Sequence, residues 1–137
     1  KVGKKGFVLG VDIEPVTIHL PGNVKFLKLD IFEVKFSELK TNFNSVDVIL
    51  SDMAPKTTGI REVDVKRSIE LNRRVLEITE TFLRTKGRLL VKAFQSPLLN
   101  ELRNDFRKLF NEVRLCKPKS SRSESKEIYL LGKFKKC

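Results

Sequence analysis

Three polar residues interrupt apolar runs where a strand would meet a loop. Asp52 follows Val46-Asp47-Val48-Ile49-Leu50-Ser51, Lys92 lies near the end of Arg88-Leu89-Leu90-Val91, and Glu127 opens Glu127-Ile128-Tyr129-Leu130-Leu131. In open α/β sheets ligands sit beyond the carboxyl ends of the strands, so Asp52 and Lys92 can face one cleft. A lysine flanked by two carboxylates in an apolar setting can move a proton or bind an anion. Two more acids, Asp12 and Asp30, end neighbouring runs, Gly6-Phe7-Val8-Leu9-Gly10-Val11 and Val24-Lys25-Phe26-Leu27-Lys28-Leu29. An acid at the tip of the second strand of a nucleotide-binding sheet can accept hydrogen bonds from both ribose hydroxyls, and another, one strand over, can reach an adenine amino group. Taken singly, each acid is as well explained as a turn cap, and the Asp52, Lys92 and Glu127 set as an ordinary strand-end ion-pair network.

The elements that must hold these residues alternate between two hydrophobic periods, which argues for βαβ architecture. Gly6 to Asp12 and Val24 to Asp30 read as strands, and Val46 to Ser51 as a central strand covered on both faces. Residues 63–85 show helical spacing: Val65, Ile69, Leu76 and Leu83 form one row, and Leu71, Val75, Ile78 and Phe82 the adjacent one. Asp64 is a candidate N-cap and Gly87 a candidate C-terminal stop. Gly87 to Phe94 is the next strand. Ser96-Pro97 pairs an N-cap with a first-turn proline, opening a helix on which Leu98, Leu102, Phe106 and Leu109 share a face. Strands near Glu112 to Cys116 and Lys126 to Phe134 follow, separated by a polar loop over 117–125. With no repeat, heptad or dividing linker, the 137 residues read as one domain, 1–137.

Composition narrows the chemistry. Two cysteines, Cys116 and Cys137, lack metal-ligand spacing, and the one histidine, His19, lies in a Pro/Gly-flanked connection, so neither a zinc site nor a Ser-His-Asp triad can be assembled. No window is apolar for the roughly 18 residues that a membrane helix needs and the start shows no signal peptide, so the expectation is a cytoplasmic protein that does not enter a membrane. The net charge is +11, and from Arg114 onward eight basic residues face two acidic ones. Such a field attracts phosphate backbones, although a basic surface can also serve solubility alone. Ten Phe mostly at core-like positions, one Tyr and no Trp argue against a base-stacking platform.

The segments Ser51-Asp52-Met53-Ala54-Pro55, Val91-Lys92-Ala93-Phe94-Gln95, and Lys117-Pro118-Lys119-Ser120-Ser121-Arg122 leading to Lys126-Glu127-Ile128-Tyr129 occur in this order and spacing. In them, from about Gly6 to Phe134, the chain resembles the FtsJ-like heat-shock family of S-adenosylmethionine-dependent ribosomal RNA 2'-O-methyltransferases. The resemblance implies an α/β, Rossmann-like fold: a mostly parallel sheet with helices on both faces. It also implies an enzyme that methylates a uridine of large-subunit ribosomal RNA with S-adenosylmethionine as donor, bound to ribosomal RNA or the large ribosomal subunit and working as a monomer. That family carries a Lys-Asp-Lys-Glu tetrad. By motif Asp52 matches its aspartate, Lys92 its second lysine, taken as the base for the ribose hydroxyl, and Glu127 its glutamate. Asp12 matches the acid that holds the cofactor ribose, Asp30 the acid near the adenine, and Asp52 is also close to the cofactor's methionine end. Lys117, Lys119 and Arg122 are the expected phosphate contacts.

The family also has a lysine-bearing helix, a strand and a Gly-rich turn ahead of the part that this chain matches, so the expectation is a chain truncated at its N-terminus, without the first tetrad lysine and the cofactor-cradling loop. In the family's sheet that strand lies between the strand ending at Asp12 and the one ending at Asp52. Without it two strand edges lose their partners, each orphaned group costing about 1–3 kcal/mol out of a domain stability of roughly 5–15 kcal/mol. Methyl transfer to a ribose oxygen is an in-line displacement needing alignment and a base. A lysine can be that base only while neutral, and two carboxylates favour its charged form, so Lys92 is expected to accept a proton only in the complete ternary complex. Competing readings are a non-catalytic RNA-binding remnant of the fold and a 2'-O-methyltransferase acting on transfer RNA or an mRNA cap. A dinucleotide oxidoreductase ranks lower, because no Gly-x-Gly-x-x-Gly follows a strand.

Overall fold

A computed structural model describes residues 2–53, 58–117 and 127–137. They fall into two compact units, Lys1–Asn44 and Ser45–Cys137.

In the first unit β1 (Val8–Asp12) and β2 (Val24–Lys28) pair in parallel, with register from Val8↔Val24 to Asp12↔Lys28. The Asn23 side-chain amide precedes β2 and donates to the carbonyls of Gly3 and Gly6 at 3.0 Å each, which fastens the segment leading into β1. A five-residue helix, α1 (Phe36–Lys40), follows and buries Leu39; Val34 just before the helix is buried as well. Sequence periodicity passes over this helix, since one buried leucine in five residues makes no pattern.

The second unit is built on a four-stranded sheet in the order β3-β4-β6-β5. Its elements are β3 (Val46–Ser51), α2 (Arg61–Phe82), β4 (Leu83–Phe94), α3 (Leu99–Leu109), β5 (Phe110–Cys116) and β6 (Glu127–Lys135). β3 and β4 are parallel, whereas β6 inserts between β4 and β5 antiparallel to both. The expected parallel pairing therefore holds for β1–β2 and β3–β4, and the sheet becomes mixed at β6.

One face of this sheet is closed by both long helices. Leu89, Val91 and Ala93 of β4, alternate residues and hence on one face, join Ile128 and Leu130 of β6 in a cluster with Ile69, Val75 and Leu76 of α2 and Leu99, Leu102 and Phe106 of α3. Fully burying each large apolar side chain contributes about 1.5–3 kcal/mol. Phe106 and Phe110 pack with ring centroids 5.9 Å apart. Gly132 makes room for them: a Cβ there would come within 2.6 Å of the buried Phe110 ring.

Three expectations about the elements change. α2 begins at Arg61 with Ile60 in the N-cap position, and Asp64 sits in the first turn instead, its carboxylate accepting from the Thr58 amide at 2.8 Å and the Thr58 hydroxyl at 2.9 Å. The bond from the Thr58 amide holds the Asp64 carboxyl below the usual range. The helix ends at Phe82, before Gly87. Pairing with β3 skips from Val46↔Leu83 to Val48↔Arg88, so the chain bulges between them, with Lys86 in the left-handed region. The Lys135 ammonium serves the helix end, donating to the carbonyls of Glu80 (3.0 Å) and Leu83 (2.7 Å); a cation on helix-terminal carbonyls contributes about 1 kcal/mol. Likewise α3 starts at Leu99 with Leu98 as N-cap and no side-chain cap, Ser96 contributing its carbonyl to the Leu99 amide at 3.1 Å.

The third change concerns β3. It is an edge strand among the described residues, paired only with β4, and its Val48 and Leu50 are 53% and 74% exposed. Its continuous apolar run reads as a strand covered on both faces, but α2 and α3 cover only the face carrying Ile49. β1 likewise pairs only with β2 among the described residues.

Candidate active site

The register of the second unit's sheet assembles one cluster. Ser51 pairs with Val91 in parallel, so the next residues, Asp52 and Lys92, come side by side where β3 ends. Across the other edge of β4, Lys92 pairs with Tyr129 and Phe94 with Glu127. Directly opposed residues, and those two apart on one strand, share a face. Lys92, Tyr129 and Glu127 therefore project from the sheet face opposite α2 and α3.

Lys92 Nζ lies 3.4 Å from Asp52 Oδ1 and 3.9 Å from Glu127 Oε1. Its side chain is 14% exposed, while those of Asp52 and Glu127 are 73% and 47% exposed. The stem of the lysine is thus sunk into the sheet surface and its ammonium emerges between two solvent-facing carboxylates. Such a group can hold a polar ligand's hydroxyl and exchange a proton with it.

Tyr129 completes the cluster and was given no role from the sequence. Its hydroxyl donates to the same Asp52 Oδ1 at 3.2 Å. The available signal was the strand period, which places residue 129 on the face of residue 127. Burial raises the Tyr129 phenol above its ordinary value, the Asp52 charge and the hydrogen bond to it push the same way, and Lys92 opposes them. A group with a raised folded value contributes stability that is complete below the unfolded value, near 10.0, and is lost as pH climbs through the folded one. Because the chain has one Tyr and no Trp, alkaline titration of absorbance near the tyrosinate band reads this residue alone. We expect a midpoint above 10.0 that falls part of the way back in Asp52→Asn. An unchanged midpoint in that variant would detach Tyr129 from Asp52.

Asn72 is the other residue sequence reasoning passed over. It is 1% exposed on α2, and its side-chain amide donates to the Lys92 carbonyl at 3.2 Å.

The two acids of the first unit end parallel strands at the same edge. Asp12 closes β1, and Asp30 lies two residues beyond β2. Asp12 Oδ1 accepts from the Glu14 amide (3.2 Å) and Asp30 Oδ1 from the Phe32 amide (2.9 Å), turns that hold each carboxylate at its strand tip.

Of the basic residues near the C-terminus, Arg114 and Lys133 both pair with Glu112, at 2.7 Å and 3.5 Å. The Arg114 guanidinium is the main reason that the Glu112 carboxyl lies below its usual range. Lys135 caps α2, and Lys136 donates to the Arg107 carbonyl at 2.9 Å. Part of the positive charge counted in the sequence is therefore engaged within the fold. Lys117 is exposed just after β5; Lys119 and Arg122 lie outside the described residues. No helix among the described residues is long and apolar enough to cross a membrane.

Comparison with known proteins follows the same chain from end to end. The family model for FtsJ-like methyltransferases matches residues 1–135. The ribosomal RNA large subunit methyltransferase E of Bdellovibrio bacteriovorus is 42% identical over 137 residues, covering 98% of this chain and 69% of the relative. The protein of the same name from Lawsonia intracellularis is 42% identical over 134 residues, covering 96% of this chain and 67% of its own. The chain thus spans about two thirds of the length of these curated relatives. Among solved structures, a crystal structure described as a ribosomal RNA methyltransferase from Plasmodium falciparum superposes with a TM-score of 0.77 at 26% identity, over 93% of this chain and 71% of that one. With the α/β fold, the strand-end cluster and these matches together, the chain belongs to the FtsJ-like methyltransferase family.

Proposed function

We propose that this protein methylates the 2'-hydroxyl of a ribose in large-subunit ribosomal RNA, at a uridine, with S-adenosylmethionine as donor. The observation that carries the reading is Lys92 Nζ standing between the carboxylates of Asp52 and Glu127 at 3.4 and 3.9 Å, in a chain whose relatives bear the name ribosomal RNA large subunit methyltransferase E.

Lys92, once it is the neutral amine in the complete ternary complex, is the group that receives the ribose hydroxyl's proton. Asp52 and Glu127 hold its nitrogen in place from two sides, and the Tyr129 hydroxyl keeps Asp52 turned toward it. A base fixed in this way contributes roughly 10²- to 10⁴-fold to rate, and alignment of the acceptor oxygen supplies the rest. S-adenosylmethionine, when bound, supplies an electrophilic methyl carbon on a sulfonium. The residues present suit that ligand: Asp12 and Asp30 are carboxylates held at neighbouring strand tips, an acceptor pair suited to ribose hydroxyls and an adenine amino group. By the family resemblance Asp52 would serve the methionine end. One domain over residues 1–137 carries these parts and acts as a monomer in the cytoplasm.

RNA is held through its phosphates by Lys117, Lys119 and Arg122, since the sequence of this segment offers cations and no aromatic residue. Neutralising the three should weaken RNA binding and flatten its salt dependence, log K losing about 0.7–0.9 of slope per phosphate contact removed. An affinity and slope unchanged by the triple substitution would place the RNA contacts elsewhere. The substrate class is tested by offering the intact protein labelled S-adenosylmethionine with large ribosomal subunits, transfer RNA or capped mRNA. Label entering the ribosomal subunit is expected; label confined to either of the other two would replace the substrate, and S-adenosylmethionine-independent RNA binding alone would indicate a non-catalytic remnant.

A further inference from the structure

The buried stripe of α2 that faces the sheet is not wholly apolar. Between Ile69 on one side and Val75 and Leu76 on the other it carries Asn72, 1% exposed. Burying a primary amide in an apolar layer is unfavourable unless its polar atoms are bonded. Thr79, also fully buried one face-repeat further along, satisfies its hydroxyl within its own helix, on the Val75 carbonyl at 2.8 Å. Asn72 reaches out of the helix instead and donates to the backbone carbonyl of Lys92 at 3.2 Å.

That carbonyl lies where support from β3 stops. Pairing of β3 with β4 ends at Ser51↔Val91, so among the described residues β4 has β6 alone paired with it from Lys92 onward. The same helix takes hold of β4's exit a second time, through the Arg61 guanidinium at 3.5 Å from the Gln95 carbonyl. α2 thus anchors the last residues of the strand that carries the lysine, from the face opposite to the one on which the ammonium emerges. Backbone displacement at residue 92 would move Nζ relative to Asp52 and Glu127, contacts of 3.4 and 3.9 Å that have little reach to spare.

We infer that Asn72 is a positioning residue for Lys92: its amide fixes the strand end so that the lysine nitrogen stays between the two carboxylates. The inference rests on the proposed role of Lys92 for its kinetic consequence, though not for its structural one.

The test uses the intact protein with Asn72→Leu, which fills the site without a donor, and Thr79→Val, which removes a buried hydroxyl of the same helix that does not touch β4. Each is measured for thermal unfolding, for kcat and KM with RNA and S-adenosylmethionine, and for the pH titration of the Lys92 ε-carbon in protein labelled with ¹³C-lysine, the signal assigned by its loss in Lys92→Arg. Asn72→Leu is expected to lower kcat about 10- to 100-fold with both KM values nearly unchanged, and to shift the Lys92 titration. Thr79→Val is expected to lower stability and leave kcat and that titration as they were. A Lys92 signal and titration unmoved by Asn72→Leu would overturn the inference, as would losses in the two variants that simply track their stabilities. Should the unaltered protein transfer no methyl group to RNA ribose, the reading of the function fails, and the Lys92 titration still decides for or against Asn72.

Discussion

Replacing Lys92 by alanine should lower methyl transfer to RNA by roughly 10²- to 10⁴-fold while leaving S-adenosylmethionine binding nearly intact. The nitrogen removed is the one proposed to face the acceptor hydroxyl, and it sits between Asp52 and Glu127 at 3.4 and 3.9 Å. Asp12→Ala should show the opposite bias, raising the cofactor dissociation constant first, because Asp12 is a strand-tip acid proposed to bind the cofactor ribose and not to take part in proton transfer. Lys92→Arg separates charge from proton transfer. Guanidinium keeps the ion pairs but stays protonated at any working pH, so it should be nearly as inactive as alanine. Isothermal titration with cofactor and a transfer assay on all three variants check this. A Lys92→Arg protein that methylates at the unaltered rate would leave Lys92 as an ion-pair partner only.

The largest stability effect is expected at Phe106. Its side chain is fully buried, packs on Phe110 with centroids 5.9 Å apart, and belongs to the cluster that joins α2 and α3 to β4 and β6. Phe106→Ala should cost about 3–5 kcal/mol, because the aromatic cavity is walled by sheet residues that cannot collapse into it. Against a domain stability of roughly 5–15 kcal/mol this is about a fifth or more. Urea unfolding should show a lower midpoint at unchanged slope. A loss below about 1 kcal/mol would mean that this layer is loosely packed.

The clustering of the candidate site is legible wherever a charged residue breaks an apolar run. Asp52, Lys92 and Glu127 each stand at a strand end, and the strand period with the parallel pairing Ser51↔Val91 is enough to bring them together. What was not legible depends on partners distant in sequence. Asn72 reads as a polar residue of a helix, and only the carbonyl of Lys92, on another element, explains its burial. Tyr129 reads as a strand aromatic until Asp52 lies opposite it. Asp64 and Ser96 were placed as caps from residue type, but a cap is defined by backbone geometry, and the two helices start at Arg61 and Leu99. The run Val46–Ser51 was read as a strand covered on both faces; a run of apolar residues reports what the strand can bury, not what covers it, and Leu50 is 74% exposed. A charge count does not show which cations also hold the fold together: Arg114 and Lys133 pair with Glu112, and Lys135 and Lys136 bond backbone carbonyls.

The most direct measurement of the central claim is the chemical identity of the methylated product. Large ribosomal subunits treated with the intact protein and methyl-labelled S-adenosylmethionine are digested to nucleosides, and the labelled nucleoside is identified by mass spectrometry. One 2'-O-methylnucleoside, 2'-O-methyluridine, is expected with the unaltered protein and none with Lys92→Ala. Label on a base carbon or nitrogen, or 2'-O-methyluridine formed equally well without Lys92, would contradict it.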